Sequence, residues 1–98
     1  FEATMNIEQL NYIRYAVELE SYAQAGELLH VTPQAIARVV NETEKLCGQP
    51  LTERKGRSIQ ATSFGRAFAR HVRNVSAAYE ELCAFANLDE GSLCEDGL

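Results

Sequence analysis

Two prolines, three cysteines and two histidines are all that 98 residues carry of these types. The scarcity of proline, with 46% hydrophobic and 23% charged residues, excludes a disordered tract. Cys47, Cys83 and Cys94 are 36 and 11 residues apart and form no C-x-x-C pair, which argues against a zinc site. Their odd number, with no secretory signal in view, points to reduced thiols inside a cell, and a cytoplasmic location is expected. No apolar run approaches the ~20 residues of a membrane span; the longest lies around Cys83–Ala86. His30 and His71 stand in no Ser-His-Asp arrangement, and there is no glycine-rich phosphate loop. No catalytic residue, metal or cofactor is therefore assigned, and an enzyme is not expected. At this length one domain with a modest core is the natural reading.

Charge is sparse in one place and dense in another. Residues 74–98 hold six acids and no Lys or Arg, and residues 1–31 hold five acids against Arg14 alone. Residues 32–73 carry eight basic groups against Glu42, Glu44 and Glu53, a local net of +5 in a chain of net −5. The Debye length is only ~8 Å at physiological salt, so the local field matters more than the total. A basic central block fits a polyanion such as DNA. Dispersal of those charges in space is the competing reading.

Residues 1–6 are expected to be a flexible lead-in, with Met5 reading as a natural start. From Ile7, apolar residues at Leu10, Ile13, Ala16 and Val17 line one face of a first helix. Ser21, with Gln24 three residues on, makes a capping box for a short second helix. Thr32 is a good N-cap, Pro33 suits a first helical position, and Gly48 and Pro50 end a third helix over 32–47. Ile36, Val39, Val40, Thr43 and Cys47 form its inward face, so Cys47 reads as a small buried hydrophobe. Two short helices joined by a turn of about three residues make a helix-turn-helix. Leu51–Lys55 and Ser58–Ala61 flank Gly56-Arg57 as a small hairpin with a basic tip. Arg54 is positioned to tie that hairpin to the helices, with Glu53 as one candidate partner.

The outward side of the third helix presents Thr32, Gln34, Ala35, Ala37, Arg38, Asn41, Glu42 and Lys45. Gln and Asn pair bidentately with adenine, and Arg with guanine, in a major groove. Thr32, Pro33, Gln34, Ala37, Arg38 and Asn41 are the candidate DNA-facing residues. Lys55 and Arg57 at the hairpin tip suit a minor groove or phosphates. A plain solvated polar face is the alternative for both.

Thr62 caps a fourth helix over 62–86, which spans ~37 Å at 1.5 Å per residue and outreaches a three-helix core. Phe64 and Phe68 belong to that core. Val72, Val75, Tyr79, Leu82, Phe85 and Ala86 continue as a heptad-like seam and are the candidate dimerisation residues. Gly65 costs roughly 1 kcal/mol of helix propensity near the start, so a packing reason for it is expected. Cys83 falls beside the seam. Residues 87–98 read as an acidic, flexible tail.

Over Met5–Gly65 the chain resembles the N-terminal DNA-binding region of LysR-type transcriptional regulators. The residues that carry the likeness include Met5-Asn6-Ile7, Leu10, Tyr12, Ser21-Tyr22, Ala25, Leu29-His30-Val31-Thr32, Ala35-Ile36 and Arg38. They continue through Glu44, Gly48, Pro50-Leu51, Glu53-Arg54, Gly56-Arg57, Ile59, Thr62 and Gly65. The resemblance implies a mainly α fold: a winged helix-turn-helix over 7–61, with a three-helix core and a short β-hairpin wing, then a long dimerising linker helix over 62–86. It implies sequence-specific binding of double-stranded DNA by a homodimer, with Thr32 on phosphate, Gln34 and Arg38 on bases, and Arg57 as the wing cation. A small-molecule inducer follows only if an effector domain continues the chain.

The departures from the family pattern are specific. Pro33-Gln34 displaces the usual glutamine by one position, about 100° around the helix. Ala23 and Ala37 stand where hydroxyl residues are common. Thr52 and Ala61 replace Phe and Leu, which is expected to loosen the wing, and Glu42 puts a negative charge on the presumed DNA face. Altered sequence preference follows, or weakened affinity. The rival function is a dimeric winged-helix protein-interaction module with weakened or lost DNA binding; a thiol sensor would need Cys83 or Cys94.

Overall fold

Four polar side chains set where the helices begin. Asn6, Ser21, Thr32 and Thr62 each accept from the backbone N–H three residues on, at 2.8, 3.1, 3.1 and 2.9 Å, satisfying a donor the helix leaves free. The structure, a computed structural model, describes residues 5–88. Most of the lead-in and tail, at 1–4 and 89–98, and Cys94 with them, lie outside the described residues. The order is α1 (Ile7–Leu19), α2 (Tyr22–Leu29), α3 (Pro33–Cys47), β1 (Thr52–Lys55), β2 (Ser58–Ala61) and α4 (Ser63–Ala86). α3 ends as expected at Gly48, at φ +75°. Glu20, His30 and Asn87 take the same left-handed conformation to end the other helices, although none is glycine.

The core gathers Ile13, Ala16 and Val17 of α1, Ala25 of α2, and Ile36, Val39 and Val40 of α3, closed by Leu51, Ala61 and Ala69. Phe64 and Phe68 pack against it half-buried, their ring centroids 6.0 Å apart and tilted by 56°. Thr43 is buried among these apolar groups and gives its hydroxyl to the Val39 carbonyl at 2.8 Å. Cys47 departs from the expected burial: α3 overshoots the core by a turn, leaving Leu46 and Cys47 exposed. Two glycines permit close backbone approaches. A Cβ at Gly26 would meet the Val31 carbonyl oxygen at 2.6 Å, where α2 turns into α3. One at Gly65 would drive into the Leu51 backbone, which supplies the packing reason expected there.

α4 lies along α1 and carries two parallel stripes. Gly65, Ala69, Val72, Ser76 and Cys83 are buried, spaced by 4, 3, 4 and 7. Ser76 donates to Asn11 Oδ1 of α1 at 2.9 Å. The neighbouring stripe is open: Val75 is 47% exposed, Leu82 50% and Phe85 90%. Of the six seam positions expected from sequence, Val72 is therefore taken by the chain's own core. Tyr79 is half-buried, and Val75, Leu82, Phe85 and Ala86 remain on the surface. The physical reason is that α1 runs further along α4 than a minimal three-helix core would.

Candidate nucleic-acid interface

Because Ile36, Val39, Val40 and Thr43 fix one side of α3 in the core, the opposite side is set by helical geometry. Gln34, Arg38, Asn41 and Lys45 recur there at 4, 3 and 4 residues and are all exposed, as are Thr32 and Pro33 at the helix start. Ala35 and Ala37 are half-buried and flank that stripe, so of the outward residues expected they offer the least surface. Glu42 sits one turn from Arg38 and holds it, Nη1 to Oε2 at 3.4 Å.

The wing pairs Thr52 with Ala61, Glu53 with Gln60, Arg54 with Ile59 and Lys55 with Ser58. Gly56 at φ +64° opens the two-residue turn with Arg57, the order found in type II′ hairpins. The Lys55 and Arg57 side chains are exposed at the tip. Glu53 and Arg54 are exposed too, and among the described residues neither ties the hairpin down. That work falls to three residues the sequence did not mark for it. Glu44 Oε2 accepts from Leu51 N at 2.7 Å and Thr52 N at 3.3 Å. Glu20 Oε2 accepts from Ala61 N at 2.7 Å, and the Tyr22 and Thr52 hydroxyls meet at 3.0 Å. The loosening expected from Thr52 and Ala61 is thus offset: Ala61 is buried and the Thr52 hydroxyl has a partner. Between wing and α2 runs a groove of about 410 Å³ that Ser21, Gln24, Arg54 and Arg57 help to line.

All eight cations of the basic block are exposed. Three of them, Arg66, Arg70 and Arg73, line a cleft of about 640 Å³ between α1, β2 and α4. Arg66 donates to the Ala61 carbonyl at 3.1 Å, and Arg73 Nε meets Glu18 Oε2 at 2.9 Å. That hydrogen bond to the Glu18 carboxylate, and its charge, hold the Arg73 guanidinium further toward its protonated form. Among the described residues no His, Cys, Asp or Glu cluster is arranged to hold a metal ion, and no helix is long and apolar enough to cross a membrane.

A capped helix with an outward polar stripe, joined by a tight turn to α2 and followed by a basic hairpin, defines a winged helix-turn-helix domain of the DNA-binding class. The chain belongs to the LysR family of bacterial regulatory helix-turn-helix proteins, whose model matches residues 7–66. The HTH-type transcriptional regulator YybE of Bacillus subtilis (strain 168) is 32% identical over 91 residues, which cover 89% of this chain and 31% of that protein. The RuBisCO operon transcriptional regulator of Acidithiobacillus ferrooxidans is 31% identical over 91 residues, covering 89% of this chain and 29% of that protein. The chain thus spans about three-tenths of the length of these relatives. Among solved structures, the CbnR DNA-binding domain in complex with DNA superposes with a TM-score of 0.77 at 29% identity, covering 85% of this chain and 95% of that one. The BenM DNA-binding domain, at 22% identity and a TM-score of 0.78, shares the fold.

Proposed function

We propose that this domain binds double-stranded DNA with sequence preference, as the DNA-reading part of a transcriptional regulator. α3 enters the major groove with Gln34, Arg38 and Asn41 toward base edges, and Thr32 and Pro33 bring its start against the backbone. Lys55 and Arg57 reach the minor groove or phosphates from the wing. Two copies pair through the open stripe of α4 and so present two recognition helices to an inverted repeat. Regulation by a small molecule enters only if an effector domain continues the chain, and the domain acts in the cytoplasm as part of a regulator and not as an enzyme.

The observation that carries this reading is the exposed Gln34–Arg38–Asn41–Lys45 stripe on a helix whose other side is locked in the core. Fluorescence anisotropy against a duplex, repeated across salt concentrations, tests it. The expected plot of log affinity against log salt is a straight line, with a slope of roughly −0.9 per phosphate neutralised. A folded chain that binds no duplex even at low salt overturns the reading and favours the protein-interaction module.

A further inference from the structure

The wing is a poor structure on its own. A single two-stranded hairpin is marginally stable in water, and this one leaves most of β1 and the turn exposed, with Leu51 and Ala61 as its buried roots. Its tip stands three residues beyond the base rung, about 10 Å at 3.3 Å per residue. A small rotation at the base therefore sweeps Lys55 and Arg57 across a distance that decides whether they reach a phosphate.

The base rung is Thr52↔Ala61. Its two backbone N–H groups go to carboxylates from separate elements, one within α3 and one at the C-cap of α1. Glu44 of α3 takes the Thr52 N–H at 3.3 Å along with that of Leu51 at 2.7 Å. Glu20, the left-handed residue that ends α1, takes the Ala61 N–H at 2.7 Å. Both are charge-assisted bonds, stronger and more directional than neutral ones. Glu44 also rides on the helix that bears Gln34 and Arg38, so it links the wing directly to the base-reading surface. We infer that Glu20 and Glu44 are positioning residues for the wing: they clamp one rung from its two sides and so fix where Arg57 meets DNA relative to α3. This rests on the DNA-binding reading above and adds to it a pair of acidic residues that touch no nucleic acid.

A merely structural role would lower stability and nothing more. The test is therefore a set of double-mutant cycles on the full chain, with a mixed-sequence duplex of about three helical turns at low salt as the probe. Arg57→Ala is made in wild type, in Glu20→Ala and Glu44→Ala, and in Glu20→Gln and Glu44→Gln. In wild type its loss costs about five-fold or more in affinity and flattens the salt slope by roughly one phosphate. In either Ala background the same change costs less than about two-fold, because the tip is already misplaced. The Gln variants keep an oxygen that accepts from N–H and restore most of the Arg57 effect. Amide hydrogen exchange at Lys55–Ser58, measured without DNA, rises in the Ala variants while α1–α3 stay protected. If Glu44→Ala does not fold, the Glu20 pair and the Gln variants carry the same comparison. An equal Arg57 cost in every background overturns the inference and leaves DNA binding standing. A wild-type chain that binds no duplex overturns the DNA-binding reading, and this one falls with it.

Discussion

Arg38 and Glu42 meet across one turn of α3, Nη1 to Oε2 at 3.4 Å, on side chains that are 63% and 60% exposed. The guanidinium assigned to a guanine edge is thus held by an internal carboxylate before any DNA arrives. An exposed i,i+4 pair is worth about 0.3–0.5 kcal/mol, so the tether breaks easily, but the charge of Glu42 remains beside the duplex. Glu42→Gln removes both effects. The expected result is affinity for any duplex raised by about two-fold or more, with thermal stability lowered by no more than about 0.5 kcal/mol. Anisotropy and thermal melts measure the two quantities. Unchanged or weaker binding in Glu42→Gln removes Arg38 from the interface.

Arg38 and Arg57 are assigned different jobs, and selection from a random duplex library separates them. Arg38→Ala is expected to lose about 1–3 kcal/mol at one base position and to relax preference there. Arg57→Ala is expected to weaken all sequences alike and to reduce the salt slope by about one. The two profiles exchanging places would reverse the assignment of helix and wing.

Gly65 and Gly48 predict opposite reasons for the same intolerance. Ala at position 65 gains roughly 1 kcal/mol of helix propensity, yet its Cβ drives into the Leu51 backbone, which is held by Thr62 N and Glu44 and cannot yield. Overpacking of this kind costs about 1–3 kcal/mol or more. Gly48→Ala meets nothing within 4 Å but sits at φ +75°, where the cost is about 1 kcal/mol of backbone strain. Denaturant titration should therefore find Gly65→Ala the more destabilised. A neutral Gly65→Ala would mean that α4 and the root of the wing can separate freely.

These glycines also show what a sequence reveals about this fold. Thr32-Pro33 and Gly48 bracket α3 by local rules, and Gly65 announces a close approach by being out of place in a helix. The outward stripe of α3 follows from a 3.6-residue period. Glu20 and Glu44 leave no such trace. Glu20 reaches a backbone N–H 41 residues away, and Glu44 reaches past its own helix end, so no spacing rule connects acceptor to donor. Cys47 follows Thr43 by four residues, so its spacing points inward although the core has ended by then and the side chain is exposed. The two stripes of α4 differ in how plainly the sequence announces them, and of the expected seam only Val72 falls on the buried one. Gly65, Ala69, Ser76 and Cys83 are small, so the buried stripe is weaker in hydrophobic signal than the exposed one with Val75, Leu82 and Phe85.

The two stripes of α4 make separable predictions about folding and pairing. Val72 is 3% exposed and packs within its own chain, so Val72→Ala removes two buried carbon groups and costs about 2 kcal/mol at any protein concentration. Phe85 and Leu82 are open in the single chain, and Glu at either position should shift monomer stability by no more than about 0.5 kcal/mol. If two copies cover that stripe, binding stabilises the folded state by mass action, and the wild-type Tm rises with concentration. Phe85→Glu and Leu82→Glu place carboxylates in the covered surface, so the variants sediment as monomers and their Tm stops depending on concentration. Duplex affinity then falls as well, because one recognition helix replaces two. Wild-type chain that sediments as a monomer, or a Phe85→Glu dimer as tight as wild type, would move the pairing surface off α4 altogether.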